Sequence, residues 1–173
     1  MLDNNLKSCP HCHAFLEMTP KLLVHVAAHI QYDSTIDQSS EPCSLCLLPS
    51  PLCKFVLKKN KGSPAVDFTR STCPWLTKFS YGPASTPSST NPSRNVLIKC
   101  SWCPKDSSAV WKYNMAAHYH SKHLPVIPPP EFQITDFELE GLKQLWSTCQ
   151  GANQVETQWR KQLTAHFNIL AAL

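Results

Sequence analysis

Apolar side chains follow a regular period only near the carboxyl-terminal end of the chain. Over residues 133–173 they recur at steps of three and four positions, in one stretch over 137–149 and a second over 155–170. This is the period of an amphipathic α-helix, and Gly151 between the two stretches is typical of a helix end. The pattern predicts two helices that pack against each other as a hairpin.

The start of the first of these helices has its own signal. Thr135 and Glu138 stand three residues apart, which is the spacing of a capping box. The apolar stripe that runs from Phe137 to Cys149 has two interpretations: the packed core of the hairpin, or a surface that binds a partner protein. Cys149 is expected to serve packing alone, because no other metal-ligating residue lies near it in the sequence.

The rest of the chain has no long segment in which apolar residues recur regularly. Proline is abundant there, while glycine is scarce. Such a chain cannot bury one large core, and small domains in that position need disulfides or metals as staples. The chain has 9 cysteines and 8 histidines, and an odd number of cysteines fits disulfide pairing poorly. The first residues lack a secretory signal and the early apolar run is too short for a membrane span, so we expect reduced thiols inside the cell. Zinc is therefore the expected cofactor.

The first candidate site has the pattern C-x2-C-x12-H-x3-H within residues 1–33, and its ligands would be Cys9, Cys12, His25 and His29. Zinc prefers four tetrahedral sulfur and nitrogen ligands, and two histidines four residues apart share one face of a helix. The unit closely resembles the C2H2 zinc-finger family, which implies a structural zinc. His11 and His13 flank the cysteine turn and are expected to be exposed and uninvolved.

A second pattern of this kind occupies residues 96–125, where two histidines compete for the last ligand position. His120 lies two residues after His118 and would point to a different face of a helix. His123 lies five residues after it, a spacing that a loosened last turn can accommodate, so His123 is the predicted ligand. The pattern is then C-x2-C-x14-H-x4-H, with the ligands Cys100, Cys103, His118 and His123.

Two aromatic residues, Trp111 and Tyr113, precede these histidines. Together with the loose histidine spacing they make the unit similar to fingers of the BED type. The first and last units share the order of a cysteine pair and a histidine pair, and so form a loose repeat. The alternative to a zinc site in residues 96–125 is a cysteine pair followed by unrelated histidines.

The middle unit, residues 40–80, predicts a four-thiolate zinc site formed by Cys43, Cys46, Cys53 and Cys73. The second two cysteines stand at irregular distances, so an alternative stays open in which some of the four are plain buried residues. The same unit holds a basic cluster of Lys54, Lys58, Lys59 and Lys61.

Two connecting segments separate these units. Residues 81–95 are rich in Ser, Pro and Thr and are predicted to form a flexible linker, and residues 126–132 are a Pro-rich extended spacer before the helical tail at 133–173. The predicted fold class is therefore a set of small α+β modules stapled by zinc, with short strands and helices, plus a C-terminal helical hairpin.

Three stretches in order carry a wider resemblance: "EPCSLCLLPSPLC", "STCPWLTKFSY" and "AVWKYNMAAHYHSKH". Over residues 40–125 they resemble a group of C2H2-type zinc-finger proteins from mushroom-forming fungi. The resemblance implies zinc binding and a nuclear location. Members of the group often have one more cysteine shortly before the last cysteine pair, and "NPSRNVLIKC" lacks it here.

The net charge of +4 and the middle lysines favour attraction to the phosphates of nucleic acid. Base reading has less support. By the residue positions that C2H2 fingers use, only Lys21 in the first unit and Asn114 in the last could hydrogen-bond a base edge. The sequence thus predicts a nucleic-acid-binding protein with little base specificity.

An alternative is a protein-interaction or scaffold module that uses the fingers and the apolar tail helices. An enzyme is not expected, because each predicted zinc site is filled by four protein ligands and leaves no open position for a substrate. Motifs of zinc proteases, zinc deaminases and phosphate-binding loops are also missing from the sequence.

Overall fold

A computed structural model gives the structure of residues 6–17, 20–60, 63–76, 88, 89 and 91–150. Its strands form three antiparallel pairs: β1 (Leu6–Ser8) with β2 (Phe15–Glu17), β3 (Leu57–Asn60) with β4 (Ser63–Val66), and β5 (Leu97–Ile98) with β6 (Val110–Trp111). Three α-helices lie in this part of the chain: α1 (Pro20–Tyr32), α2 (Met115–Lys122), and α3, which covers residues 136–150. The α+β class with short strands is confirmed, whereas the second helix of the predicted hairpin lies outside the described residues.

Helix α1 is buried on all sides over most of its length. Every residue from 22 to 30 is buried, whereas a helix that contacts only its own strand pair would leave one face exposed. Leu23 packs in one core with the middle unit, including Leu45 and Phe55, and with Trp111 of the last unit. The three predicted units therefore share a core.

Helix α3 covers a second side of α1. Val24 and Ala27 of α1 form a cluster with Tyr113 and Leu142, and Trp146 packs against that cluster. The amphipathic pattern identified this face correctly except at its first residue. Phe137 was expected in the buried stripe, but its side chain is 56% exposed.

The predicted capping box at the start of α3 is confirmed and is part of a larger network. Thr135 Oγ1 accepts from the Glu138 backbone N–H at 3.3 Å, and Glu138 Oε2 accepts from the Thr135 backbone N–H at 3.0 Å. The fully buried Glu138 carboxylate also accepts from Arg94 N–H (2.9 Å), Tyr113 O–H (3.1 Å) and Lys112 Nζ (3.2 Å). One carboxylate thus joins α3 to the segment before β5 and to the segment after β6.

The end of the predicted flexible linker is packed instead. Ser93 and Asn95 are each 2% exposed. Asn95 Nδ2 donates to Ser44 Oγ at 2.6 Å, and its Oδ1 accepts from Tyr113 N–H at 3.1 Å. The linker prediction is therefore wrong for residues 91–95, because buried side-chain hydrogen bonds hold this segment in place.

Helix α3 approaches this segment closely at Gly141. A Cβ atom at Gly141 would lie 2.4 Å from Cβ of Pro92, so any larger residue would force the two segments apart. The Pro-rich spacer is also less extended than predicted. It contains a 3₁₀ turn at Pro130–Phe132, and Phe132 packs against the core of the last unit.

Candidate metal centres

Three groups of Cys and His side chains each bring four ligand atoms together. Within each group the ligand atoms all lie within 4.8 Å of one another. The groups are Cys9, Cys12, His25 and His29 (the first site); Cys43, Cys46, Cys53 and Cys73 (the middle site); and Cys100, Cys103, His118 and His123 (the third site). All nine cysteines belong to the described part of the chain and are free thiols, so no disulfide competes with metal binding.

The ligand atoms of the first site converge, and they lie slightly closer together than tetrahedral zinc would hold them. His25 Nε2 lies 3.1 Å from Cys12 Sγ and 3.2 Å from His29 Nε2. Zinc bonds of about 2.0–2.3 Å at tetrahedral angles place any two ligand atoms about 3.3–3.8 Å apart. Burial lowers the pKa of His25 to about 4 and raises the pKa of Cys9 to about 11. The imidazole is therefore neutral and available to a metal at pH 7, whereas the Cys9 thiol proton would be displaced on binding.

The Nδ1 nitrogens of both first-site histidines have hydrogen-bond partners. His29 Nδ1 lies 3.1 Å from Asp33 Oδ2, one helical turn later, and His25 Nδ1 lies 3.4 Å from Cys149 Sγ on α3. A partner on Nδ1 fixes the imidazole so that the Nε2 lone pair faces the metal. Cys149 was predicted to serve packing alone, and this is wrong because α3 folds back over the site.

His11 was expected to be uninvolved, and the structure corrects this as well. Its Nε2 lies 2.8 Å from Asp33 Oδ2, the same carboxylate oxygen that contacts His29. His11 thereby ties the cysteine turn to the end of α1. The sequence signal for this was a carboxylate one turn after the last ligand histidine, which places it on the ligand face of the helix.

The middle site consists of four sulfur atoms with similar spacing. Cys46 Sγ lies 3.3 Å from Cys53 Sγ and 3.7 Å from Cys73 Sγ, and Cys43 Sγ lies 3.8 Å from Cys73 Sγ. Four thiolates around zinc at about 2.3 Å stand about 3.8 Å apart. Hydrogen bonds from the thiols of Cys43 and Cys73 lower the pKa of Cys46. The four irregularly spaced cysteines thus converge on one point.

The cysteine turns of the first and middle sites have the same backbone. In each, the N–H of the residue after the second cysteine donates to the carbonyl of the first cysteine, at 2.9 Å for His13 and 2.8 Å for Leu47. Both residues have φ of 60°, a left-handed conformation that is uncommon outside glycine. This conformation closes the turn and directs both sulfurs to one side.

The third site uses His123 and leaves His120 outside. His123 Nε2 lies 3.2 Å from Cys103 Sγ and 3.5 Å from Cys100 Sγ, and His118 Nε2 lies 3.3 Å from Cys103 Sγ. Helix α2 ends at residue 122, and the chain turns there so that His123 can reach the sulfurs. The side chain of His120 is exposed on the opposite side.

A carboxylate from a distant part of the chain contacts the third site. His118 Nδ1 lies 3.2 Å from Oε2 of Glu41, which stands two residues before the first cysteine of the middle site. This hydrogen bond raises the pKa of His118 above its ordinary value, although burial opposes the shift. Sequence reasoning missed this contact because it joins residues 77 positions apart.

The predicted base-reading residues have different outcomes. Lys21 is exposed at the start of α1, but Val24, three residues later on the same helix, is buried against α3. Asn114 is 3% exposed and its Nδ2 donates to the Pro42 carbonyl at 2.8 Å. The prediction that Asn114 hydrogen-bonds a base edge is wrong, because the side chain is buried and its Nδ2 already donates to the Pro42 carbonyl.

The predicted phosphate-contacting lysines lie on the surface. Lys54, Lys58 and Lys59 are exposed, and Lys61 lies outside the described residues. Among the helices that the structure describes, none is long and apolar enough to cross a membrane.

Comparisons with protein-family models, curated proteins and solved structures give no match to this chain. The resemblances to C2H2 and BED-type fingers and to the fungal group therefore stay predictions.

Proposed function

We propose that this chain is a structural zinc protein that binds nucleic acid through phosphate contacts, using basic side chains of its middle and last units. Zinc binding is supported by three sets of four Cys and His ligand atoms, each set within 4.8 Å of one another. Metal in these sites would hold together a chain whose strands are only two to four residues long. Four protein ligands at each site favour a structural role over a catalytic one.

The observation that carries nucleic-acid binding is the uneven distribution of charge. Residues 42–105 contain nine Lys and Arg side chains but only one acidic residue, Asp67. The rest of the chain contains seven basic and eleven acidic residues. The net charge of +4 is therefore the sum of a strongly basic segment, residues 42–105, and a weakly acidic remainder of the chain. Such a concentration of positive charge attracts polyanions.

We call six exposed basic side chains of this region the basic face. Arg70, Lys99 and Lys105 line one pocket beside Leu57 at the start of β3, together with one acidic residue, Asp106. Lys54 pairs through its backbone with Thr72, next to the Arg70 turn. The basic face consists of the exposed side chains of Lys54, Lys58, Lys59, Arg70, Lys99 and Lys105.

The burial of the helices supports phosphate contact over base reading. α1 is covered by α3 and by the middle unit, so it cannot enter a DNA groove as the helix of an isolated finger does. Asn114 is engaged in the core. Contacts from the basic face would go to the backbone, which is the same in every sequence. A nuclear location would follow from this function and stays a prediction.

A fluorescence titration of the zinc-loaded chain with duplex DNA of unrelated sequences tests this proposal. We expect binding that weakens with salt and differs little between sequences. The triple variant Lys54→Ala, Lys58→Ala, Lys59→Ala should lower the log–log salt slope by about 0.9 for each lost contact. The matched single variants Lys59→Ala and Lys143→Ala both remove one exposed lysine, but only the first lies on the basic face.

Two results would contradict nucleic-acid binding. One is no detectable complex at about 50 mM salt, where phosphate contacts are strongest. The other is an equal loss from Lys59→Ala and Lys143→Ala, which would show a general effect of charge. Zinc content measured on each variant ensures that a loss of binding does not reflect a loss of metal.

The alternative function, binding of a partner protein, is favoured by one observation. A groove of about 430 Å³ runs between the middle and third sites, with Leu48, Phe55 and Trp111 in its lining. Leu48 is 39% exposed, and Leu52 close to it in sequence is 62% exposed. A photo-crosslinking residue at position 48 should capture a defined protein in cells if the groove binds one, while the same residue at position 143 should not.

A further inference from the structure

We propose that Glu41 is a positioning residue that couples the middle and third metal sites, so that zinc in one strengthens zinc binding in the other. The proposal rests on zinc binding at both sites, as proposed above. Glu41 stands two residues before the first cysteine of the middle site. Glu41, Pro42 and Ser44 each contact the third unit or the residues before it.

The carboxylate of Glu41 holds the third site from outside. Its Oε2 lies 3.2 Å from His118 Nδ1, and its Oε1 lies 3.5 Å from Ser121 Oγ and 3.8 Å from Lys122 Nζ. The Glu41 side chain is only 10% exposed, so water competes little for these contacts. All three partners belong to α2, which carries His118 to the metal.

The backbone after Glu41 leads directly into the middle site. Glu41 has φ of 51°, which turns the chain so that Pro42 and Cys43 follow close to the third unit. The Pro42 carbonyl accepts from Asn114 Nδ2 at 2.8 Å, and Ser44 Oγ accepts from Asn95 Nδ2 at 2.6 Å. The first cysteine of the middle site is thus held between two hydrogen bonds to the region of the third site.

The chemistry of the imidazole explains how zinc acts through this contact. A metal on Nε2 of His118 requires the proton to be on Nδ1, where it is donated to Glu41. Zinc in the third site therefore fixes Glu41, which fixes the approach of the chain to Cys43 and Cys46. Because binding free energies are linked, zinc in the middle site must favour zinc in the third site by the same factor.

Asp33 provides a matched comparison at the first site. It makes the same hydrogen bond to His29 Nδ1, at 3.1 Å, but lies only four residues later, directly after α1. Its second contact, to His11, belongs to the cysteine turn of the same site. Loss of Asp33 should therefore weaken only its own site, whereas loss of Glu41 should weaken two.

The test uses the zinc-loaded full chain in a buffer of fixed free zinc, with the alkylation rate of each cysteine read by mass spectrometry. Glu41→Ala should raise the rates at Cys100 and Cys103 by roughly 10–100-fold, the usual cost of a lost outer hydrogen bond to a ligand. It should also raise the rates at the middle-site cysteines by roughly 5-fold or more. The alkylation rates at Cys9 and Cys12 should stay unchanged. Asp33→Ala should raise the rates at Cys9 and Cys12 and leave those at the middle and third sites unchanged.

A double-variant cycle distinguishes coupling from simple loosening of the fold. Removing the third site by Cys100→Ser and Cys103→Ser should expose the middle cysteines in the wild-type background, but add nothing further in the Glu41→Ala background. Glu41→Gln keeps an oxygen that accepts from His118, so it should give an intermediate rise. If Glu41→Ala does not fold, the alkylation rates of Glu41→Gln still test the coupling.

Two outcomes overturn the coupling: middle-site rates unchanged in both Glu41 variants, or the same rise at the middle site from Asp33→Ala. Zinc stoichiometry of the unsubstituted chain separates the two proposals. Absence of zinc from the middle or third site in that chain contradicts zinc binding itself. Zinc in both sites with no effect of Glu41 contradicts the coupling alone.

Discussion

The first and third sites have the same four ligand types but are supported in different ways. The first is formed on a helix of 13 residues, and its Asp33 partner comes from the end of that helix. The third is formed on a helix of 8 residues, and its Glu41 partner comes from 77 residues earlier. The shorter helix thus takes the partner of its first ligand histidine from a distant segment. Identical ligand sets can therefore belong to one local unit or to the whole fold.

The cysteine turns of the two sites differ for a reason that is visible in the sequence. His13 follows Cys12 and adopts φ of 60°. The corresponding residue after Cys103 is Pro104, whose ring fixes φ near −65°. The third site therefore cannot copy the turn of the first. The middle site, with Leu47 at that position, copies it closely.

Removal of zinc should have the largest effect and should act on both sites. Structural zinc contributes on the order of 10 kcal/mol to a site of this kind, more than such short elements can supply by packing. A strong chelator should abolish the near-ultraviolet circular dichroism of the buried aromatic residues while part of the far-ultraviolet helical signal remains. An unchanged near-ultraviolet spectrum in metal-free protein would show that packing alone holds both sites.

Substitution of Glu138 should have the next largest effect. Its carboxylate connects α3, which covers α1, with the segment before β5 and the segment after β6. Glu138→Ala leaves the buried Lys112 without its ion pair, which typically costs about 3–5 kcal/mol. Burial acts to raise the pKa of Glu138, but the N–H donors of Thr135 and Arg94 and the charge of Lys112 lower it overall. The stability it contributes is therefore present above the ordinary carboxyl pKa and lost as pH falls through the lowered one.

Urea unfolding of Glu138→Ala and the unsubstituted chain at several pH values measures this effect. The difference in unfolding free energy between them should shrink as the solution becomes more acidic. Glu140, on the same helix, is a suitable control, since Glu140→Ala removes a carboxylate without the buried network. Equal losses from the two substitutions would show that Glu138 does not connect α3 with those two segments.

The choice of the last ligand at the third site gives a smaller, local effect. His123→Ala should cost roughly a quarter of the zinc-binding free energy of the site, about 3 kcal/mol, whereas His120→Ala should cost almost nothing. Competition with a chelator of known affinity measures both. A larger loss for His120→Ala would contradict the arrangement at the end of α2. Comparable losses would mean that either histidine can complete the site.

Glycine substitution in the cysteine turns should give the smallest effect and opposite signs at the two sites. His13→Gly removes the steric cost of a left-handed residue and should stabilise the protein by about 0.5–1 kcal/mol. Pro104→Gly frees the unfolded chain and should destabilise it by about 0.4–1 kcal/mol. Thermal unfolding of the zinc-loaded variants compares them. Effects of the same sign would show that the two turns are more alike than their backbones indicate.

Local sequence spacing was sufficient wherever a feature depends on a few neighbouring residues. The spacing of Cys9 and Cys12 from His25 and His29 selected side chains that lie together, because one turn and one helix determine their positions. The capping box at Thr135 was found for the same reason. The preference for His123 over His120 also depended only on the geometry of one helix end.

Tertiary structure decided the features that join distant segments. The burial of Asn114 and Val24, and with it the loss of base reading, follows from neighbours elsewhere in the chain. The sequence shows which side chains of a helix share a face, but it does not show what covers that face. The contact of Glu41 with His118 is of the same kind. Ligand spacing is a property of one segment, whereas the partners of each ligand depend on how the segments pack.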